Sequence, residues 1–106
     1  MAAGISDILE KNVVDEWLRN IAENYREIDG YGYGDVLDDL VEMLVEEGLV
    51  SPGQRSLAWR LIDKYLHRVT GYGSPGVLKW AVEQAITDFY EMLQPYFFLL
   101  GVAALG

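Results

Sequence analysis

The stretch SPGQRSLAWRLIDKYLHRV, residues 51–69, contains the start signal, the core stripe and the charged face of one helix. Ser51 is a typical N-cap residue, Pro52 suits the first helical position, where its missing N–H costs nothing, and Gln54 completes a capping box. Seven apolar residues then recur at helical spacing, so one face of this helix is predicted to be buried. They are Leu57, Ala58, Leu61, Ile62, Tyr65, Leu66 and Val69.

The same helical periodicity occurs three more times, and no part of the chain shows the sustained two-residue alternation of a strand. These further helices are predicted over residues 6–28, 35–47 and 74–94. Their core stripes are Leu9, Val13, Val14, Trp17, Leu18, Ile21, Tyr25 and Ile28; Leu37, Leu40, Val41 and Leu44; and Leu78, Ala81, Val82, Ala85, Ile86, Phe89 and Leu93. The sequence therefore predicts an all-α fold, a four-helix bundle-like single domain.

The ends of these helices are predicted from residues with special backbone preferences. Asp35 is expected to be the N-cap of the second helix, and Gly48 is expected to end that helix in a left-handed conformation. Pro95 is expected to interrupt or kink the fourth helix, because proline removes a backbone hydrogen bond inside a helix. The chain is accordingly divided into a helical domain, residues 1–94, and an apolar helical extension, residues 95–106.

Charge is distributed unevenly along the chain. Residues 1–50 contain 13 of the 17 acidic side chains and three of the eight basic ones, whereas residues 51–106 contain four acids and five bases. A net charge of −9 opposes binding to phosphate backbones, which depends on clustered lysines and arginines. We therefore expect no direct binding of nucleic acid.

Two helices carry charged ridges of opposite sign. The acidic ridge lies on the second helix and the basic ridge on the third, with Arg55 at its start. Opposite ridges pair either within one molecule, where consecutive helices are usually neighbours, or head to tail between copies. The ridge residues are Asp35, Asp39, Glu42 and Glu46, and Arg60, Lys64 and Arg68.

The C-terminal segment has no charged residue after Glu91 and is rich in large apolar side chains. Exposed to water, it would present several hundred Å² of apolar surface, more than soluble monomers usually tolerate. It is covered by its own helices, by a neighbouring subunit or by lipid. The expected subunit-interface residues are Tyr96, Phe97, Phe98, Leu99, Leu100, Val102 and Leu105, joined by the loop tyrosines Tyr31, Tyr33 and Tyr72, which act as interface anchors or as lids on the core.

These features predict a non-enzymatic, self-assembling structural protein, a homo-oligomeric building block of the coat or virion type that is incorporated into a particle. One alternative is a helix-turn-helix regulator, in which the start of the third helix reads DNA through Gln54, Arg55, Ser56 and Arg60. Another is a membrane-surface protein that uses the C-terminal segment as a shallow anchor. The absence of basic residues beside that segment weighs against the second alternative.

Residues suited to catalysis or to cofactor binding are scarce. The single histidine, His67, lies beside Lys64 and Arg68 on a polar face, and no serine has the sequence context of a nucleophile. The chain has no cysteine, so thiolate-bound metal is excluded. We expect no catalytic site, no metal, no cofactor and no small-molecule substrate. The N-terminus lacks a secretory pattern, which predicts synthesis and retention inside the cell.

Overall fold

The computed structural model describes residues 12–69 and 74–105, with side chains described as far as Met92. The described chain is all-α, which confirms the predicted fold class, and it contains four helices. A single 3₁₀ turn, Pro52–Gln54, precedes the third helix. The helices are α1 (Asn12–Glu27), α2 (Tyr33–Glu46), α3 (Arg55–Leu66) and α4 (Pro75–Leu105).

The four helices enclose one apolar core. Helix α1 packs against α2 and α4, and α3 packs against the same two helices, so each helix has two neighbours. No polar or charged side chain is buried among the described residues, as expected because an unpaired buried charge would be costly. The largest fully buried side chains come from all four helices: Val14, Leu18, Ile21, Leu37, Leu40, Met43, Leu44, Ile62, Leu66, Leu78 and Ile86.

The predicted core stripes are confirmed for α2 and, as far as Phe89, for α4, but only partly for α1. In α1, Val14 is completely buried, whereas its neighbour Val13 is 50% exposed. Ile28, just beyond the end of α1, is 52% exposed. The predicted stripe was too wide, because neighbouring positions of a helix are about 100° apart and only one side of α1 meets α2 and α4.

The start of α2 differs from the prediction. Gly32, not Asp35, is the N-cap residue, and the helix begins at Tyr33. The Asp35 carboxylate instead reaches back to accept a hydrogen bond of 2.8 Å from the backbone N–H of Gly32. This is the role of the third helical residue in a capping box, and it also places a negative charge at the positive end of the helix dipole.

The end of α2 forms a Schellman motif around Gly48, as the sequence predicted. Gly48 has a φ of +74°, which a residue with a Cβ rarely adopts. Its N–H donates to the carbonyl of Val45 (3.1 Å), and the N–H of Leu49 donates to that of Leu44 (2.9 Å). Leu49 and Val50 are buried, so this connection forms part of the core.

The start of α3 is also different from the predicted capping box. Ser51 precedes the 3₁₀ turn, its side chain caps no backbone group, and its hydroxyl donates to the side-chain oxygen of Gln54 (2.8 Å). The α-helix begins at Arg55 and ends at Leu66, earlier than the predicted end at Val69. Pro52 does occupy the first position of the turn, which its fixed φ favours.

Helix α4 is continuous from Pro75 to Leu105 and passes through Pro95 without ending. The predicted interruption at Pro95 is therefore wrong, whereas the predicted kink there stays a prediction. A proline removes the hydrogen bond to the carbonyl four residues earlier, here that of Glu91, and Glu91 is exposed, so water can satisfy that carbonyl. The division of the chain at residues 94 and 95 stays a prediction.

Candidate interaction surfaces

Two of the three tyrosines predicted to lie in loops are described, and both connect the start of α2 to its surroundings. Tyr31 precedes the helix, and Tyr33 is its first residue. Tyr31 and Tyr33 are partly buried and pack against the core. The Tyr31 hydroxyl donates to the Asp39 carboxylate, and the Tyr33 hydroxyl donates to Asp63 Oδ1 of α3 (2.5 Å). Both residues therefore serve as lids whose hydroxyl groups are occupied. Their predicted role at a subunit interface stays a prediction, and Tyr72 lies outside the described residues.

The environment of Tyr31 keeps its hydroxyl protonated. Burial raises the pKa of Tyr31 well above its ordinary value, and the hydrogen bond to Asp39 and the negative charges of Asp39 and Asp35 raise it further. A hydroxyl that stays protonated donates its hydrogen bond over the whole physiological range. The Tyr31 contact therefore fixes the loop before α2 to the second turn of that helix.

The charged ridges do not pair along their length. Arg55 Nη2 lies 3.3 Å from Glu42 Oε1, and this is the single ion pair between the two ridges among residues 12–69. Both side chains are about half exposed, so the pair contributes little to stability. Within the described part of the chain, Arg60 and Arg68 have no ion-pair partner, which leaves both cations directed to solvent.

Lys64 of the basic ridge binds α4 and not the acidic ridge. Its Nζ lies 3.1 Å from Asp88 Oδ2, the same oxygen that accepts a hydrogen bond of 2.5 Å from the Tyr65 hydroxyl. The hydrogen bond from Tyr65 has the larger effect and the Lys64 contact the smaller one, and together they lower the pKa of Asp88 below its ordinary value. The Tyr65 ring also packs edge-on against Trp80, with 5.9 Å between ring centroids. Asp88 therefore joins α3 to α4.

A cleft of about 310 Å³ lies between α2 and α3. Trp59 Nε1 donates to Asp38 Oδ1 (3.1 Å) on one side of it, and the Arg55–Glu42 pair lies on the other. An indole beside carboxylates is a suitable environment for a cation, but both carboxylates already have partners within the chain. The cleft is therefore a junction between helices.

The residues predicted to read DNA lie at the start of α3, next to contacts that join α3 to α2. These contacts are Tyr33–Asp63, Asp38–Trp59 and Glu42–Arg55. Positions on α3 fall as positions on α2 rise, so the two helices run in opposite directions, and the DNA-binding alternative stays a prediction. In addition, Arg55 is paired with an acid, and Gln54 is hydrogen-bonded to Ser51.

The described side chains of α4 end at an exposed methionine. The Tyr90 hydroxyl donates to the carbonyl oxygen of Leu49 (3.1 Å), so α4 reaches the α2–α3 connection at this residue. Phe89 is the last buried residue among the described side chains of α4, and Met92 is 57% exposed. The helix continues beyond Met92 as far as Leu105, but the predicted interface side chains, Tyr96 to Leu105, lie outside the described ones.

Two kinds of feature are absent from the described residues. No group of three or more histidine, cysteine, aspartate or glutamate side chains there could hold a metal ion. Likewise, none of the helices, as far as the chain is described, combines the length and apolar character needed to cross a bilayer.

Several of these contact residues were not predicted from the sequence. Asp38, Asp63 and Asp88 each accept a hydrogen bond from an aromatic side chain that is distant in the chain. Local sequence gave no signal for these contacts, because each of the three aspartates has other polar residues close to it in the chain. The sequence matches no known family model, and no curated protein or solved structure shows significant similarity to it.

Proposed function

We propose that this chain is a non-enzymatic structural protein that assembles with copies of itself through the C-terminal half of α4. A coat or virion-type building block is the specific form of this proposal. The observation that carries it is the continuous helix Pro75–Leu105, which extends several turns beyond Tyr90, the position where α4 reaches the α2–α3 connection. We call residues 92–105 the apolar tail.

The composition of the apolar tail requires that it be covered on more than one side. The tail contains no charged residue, and its aromatic and leucine residues are consecutive, so they are distributed all round a helix. A helix that is apolar on all sides is normally buried. The exposed side chain of Met92 at the start of the tail agrees with an apolar surface that the described residues leave open.

Lipid is a less suitable cover than protein. The last basic residue before the tail is Lys79, which lies more than three helical turns upstream of Met92, and surface-bound helices usually carry basic side chains beside the apolar ones. The tail is about 21 Å long, which is shorter than the roughly 30 Å hydrocarbon layer. A neighbouring copy requires neither basic residues nor a particular length.

The test compares the mass in solution of the full chain with that of Phe97→Glu/Leu100→Glu, which adds two charges to the tail. The matched control is Asn20→Glu/Thr87→Glu, because both residues are exposed and lie outside the tail. We expect the full chain and the control to form the same oligomer, and the tail variant to be a folded, helical monomer of 12.0 kDa. Light scattering and circular dichroism give these results.

Two outcomes would overturn the proposal. A monomeric full chain at high micromolar concentration would mean that the tail is covered within the molecule. An oligomer that keeps its mass in the tail variant would mean that another surface holds the copies together. Recovery of the full chain with liposomes, combined with a monomeric state in their absence, would favour the membrane-surface alternative.

A further inference from the structure

We propose that the apolar tails of two copies pair antiparallel and side by side, with the helical bodies at opposite ends of the pair. This inference rests on the proposed function and defines the geometry of its contact. The body is residues 12–91, which contain α1, α2, α3 and the first part of α4. The inference follows from the side of α4 that already faces the core.

The core-facing side of α4 is defined by its buried residues. They are Leu78, Ala81, Val82, Ala85, Ile86 and Phe89, which recur at intervals of three and four positions. The same helical repeat, continued along α4, reaches positions 92, 93, 96, 97 and 100. In the sequence these positions are Met92, Leu93, Tyr96, Phe97 and Leu100, and Met92 is 57% exposed. The tail therefore repeats the core-facing pattern beyond the point where α4 contacts the α2–α3 connection.

This register excludes a parallel pair that uses the same face. Helices α1 and α3 lie against the core-facing side of α4 in the body. Suppose that two copies ran parallel with the core-facing sides of their α4 helices together. The two bodies would then lie at the same end and between the two helices, so each would occupy the space of the other. In an antiparallel pair, by contrast, each body lies beyond the end of the other copy's tail. The partner's helix then lies along the side of the tail that no described helix of the body covers past Tyr90.

Charge favours the same orientation. Each copy has a net charge of −9, and 13 of its 17 acidic residues lie within the first 50 positions. An antiparallel pair separates the two bodies by the length of a tail, about 20 Å, which is more than twice the Debye length at physiological ionic strength. Repulsion between the acidic bodies is therefore largely screened.

The contact area is sufficient for a specific dimer. The opposed face of each tail contains two aromatic residues, Tyr96 and Phe97, together with Leu93 and Leu100, and an aromatic side chain buries about 150–250 Å². One face of each tail removes on the order of 600 Å² from water, or about 1,200 Å² for the pair, which is the lower end of the range for stable interfaces. Larger assemblies would contain this pair as their unit.

Because the chain has no cysteine, single-cysteine variants report the geometry directly. With the repeated faces opposed and residues 92–105 of the two tails fully overlapped, position 97 of one tail lies opposite position 100 of the other, and position 93 lies opposite 104. Two copies of Leu100→Cys are then offset by about 5 Å along the axis, and two copies of Leu93→Cys by about 16 Å. We expect a short bismaleimide to crosslink Leu100→Cys to itself, but Leu93→Cys only when it is mixed with Ala104→Cys.

The control is Thr87→Cys, an exposed residue of the body, which should remain uncrosslinked in the same oligomer. Light scattering is measured on every variant first, so that the oligomer is established independently of the crosslinking. Equal self-crosslinking of Leu93→Cys and Leu100→Cys in an oligomer would show parallel tails and overturn this inference while the proposed function stands. An oligomer without any tail crosslink would overturn it as well, and a monomer would overturn the proposed function.

Discussion

The hydroxyl group of Tyr90 donates a hydrogen bond of 3.1 Å to the backbone carbonyl oxygen of Leu49, a residue far away in the sequence. It joins α4 to the connection between α2 and α3, which is itself fixed by the Schellman motif at Gly48. The Tyr90 ring also contacts the buried ring of Phe89, at 5.5 Å between centroids. This contact marks the end of the body and the start of the helix segment to which we assign self-association.

Removing the Tyr90 hydroxyl should destabilise the body measurably. Tyr90→Phe leaves the buried Leu49 with one hydrogen bond fewer, so we expect the free energy of unfolding to fall by about 1 kcal/mol. For a domain of this size the melting temperature should fall by roughly 4–8 °C. Thr87→Val is the control, because the Thr87 hydroxyl is bonded only within its own helix and is exposed. Equal effects of the two substitutions would contradict the role of Tyr90.

Two neighbouring valines of α1 should respond very differently to truncation. Val14 is completely buried and Val13 is half exposed. Val14→Ala removes two buried methyl groups and leaves a cavity, so it should lower the free energy of unfolding by about 2 kcal/mol. Val13→Ala should change it by less than about 0.5 kcal/mol. Urea denaturation measures both, and comparable losses would mean that α1 is rotated from its described position.

The left-handed conformation of Gly48 should make that position intolerant of a side chain. Gly48→Ala places a Cβ on a residue with a φ of +74°, so we expect a loss of about 1–2 kcal/mol although no atom lies within 4 Å of the added carbon. Gly53→Ala is the matched control, since that position also has open space and its φ is not positive. Thermal unfolding should rank Gly48→Ala clearly below the control; the reverse order would rule out the described turn.

The contacts of Asp88 should make stability depend on pH in the acid range. The Tyr65 hydroxyl and the Lys64 ammonium hold the pKa of Asp88 below its ordinary value. Ionised Asp88 therefore stabilises the folded state at pH values above the pKa that this carboxyl has in the unfolded chain. The stabilisation is lost as the pH falls through the lower pKa that it has in the folded chain. Relative to Asp88→Asn, the natural chain should be more stable at pH 7 and should lose that advantage below about pH 4.

This pH experiment is controlled by Glu83→Gln, which removes a carboxylate from the same helix. The Glu83 side chain has no ion pair or hydrogen bond among the described residues. We expect its difference from the natural chain to vary little over the same pH range. A stability difference for Asp88→Asn that stays constant from pH 7 to acid would contradict the proposed coupling to Tyr65 and Lys64.

Two contacts differ from the sequence predictions, one local and one between helices. Asp35 was predicted as an N-cap from its residue type, but the helix begins two residues earlier, so its carboxylate accepts from the backbone N–H of Gly32 as the third helical residue. The basic ridge was predicted to pair with the acidic one, within the molecule or between copies, but Lys64 contacts Asp88 on α4. The Lys64 contact is not visible in local spacing, since it depends on which helix faces lie together.

The sequence by itself determined that the described chain is all-α, where its four helices lie, and which faces of α2 and α4 are buried. These properties depend on the helical repeat of apolar residues and on turn residues such as Gly48, which act within a few positions of the chain. Only the tertiary structure decided which side of α1 is covered, which aspartates receive tyrosine hydroxyls, and that α4 continues through Pro95. The covered side of α1 and the aspartate contacts depend on which helices become neighbours, which no local pattern encodes.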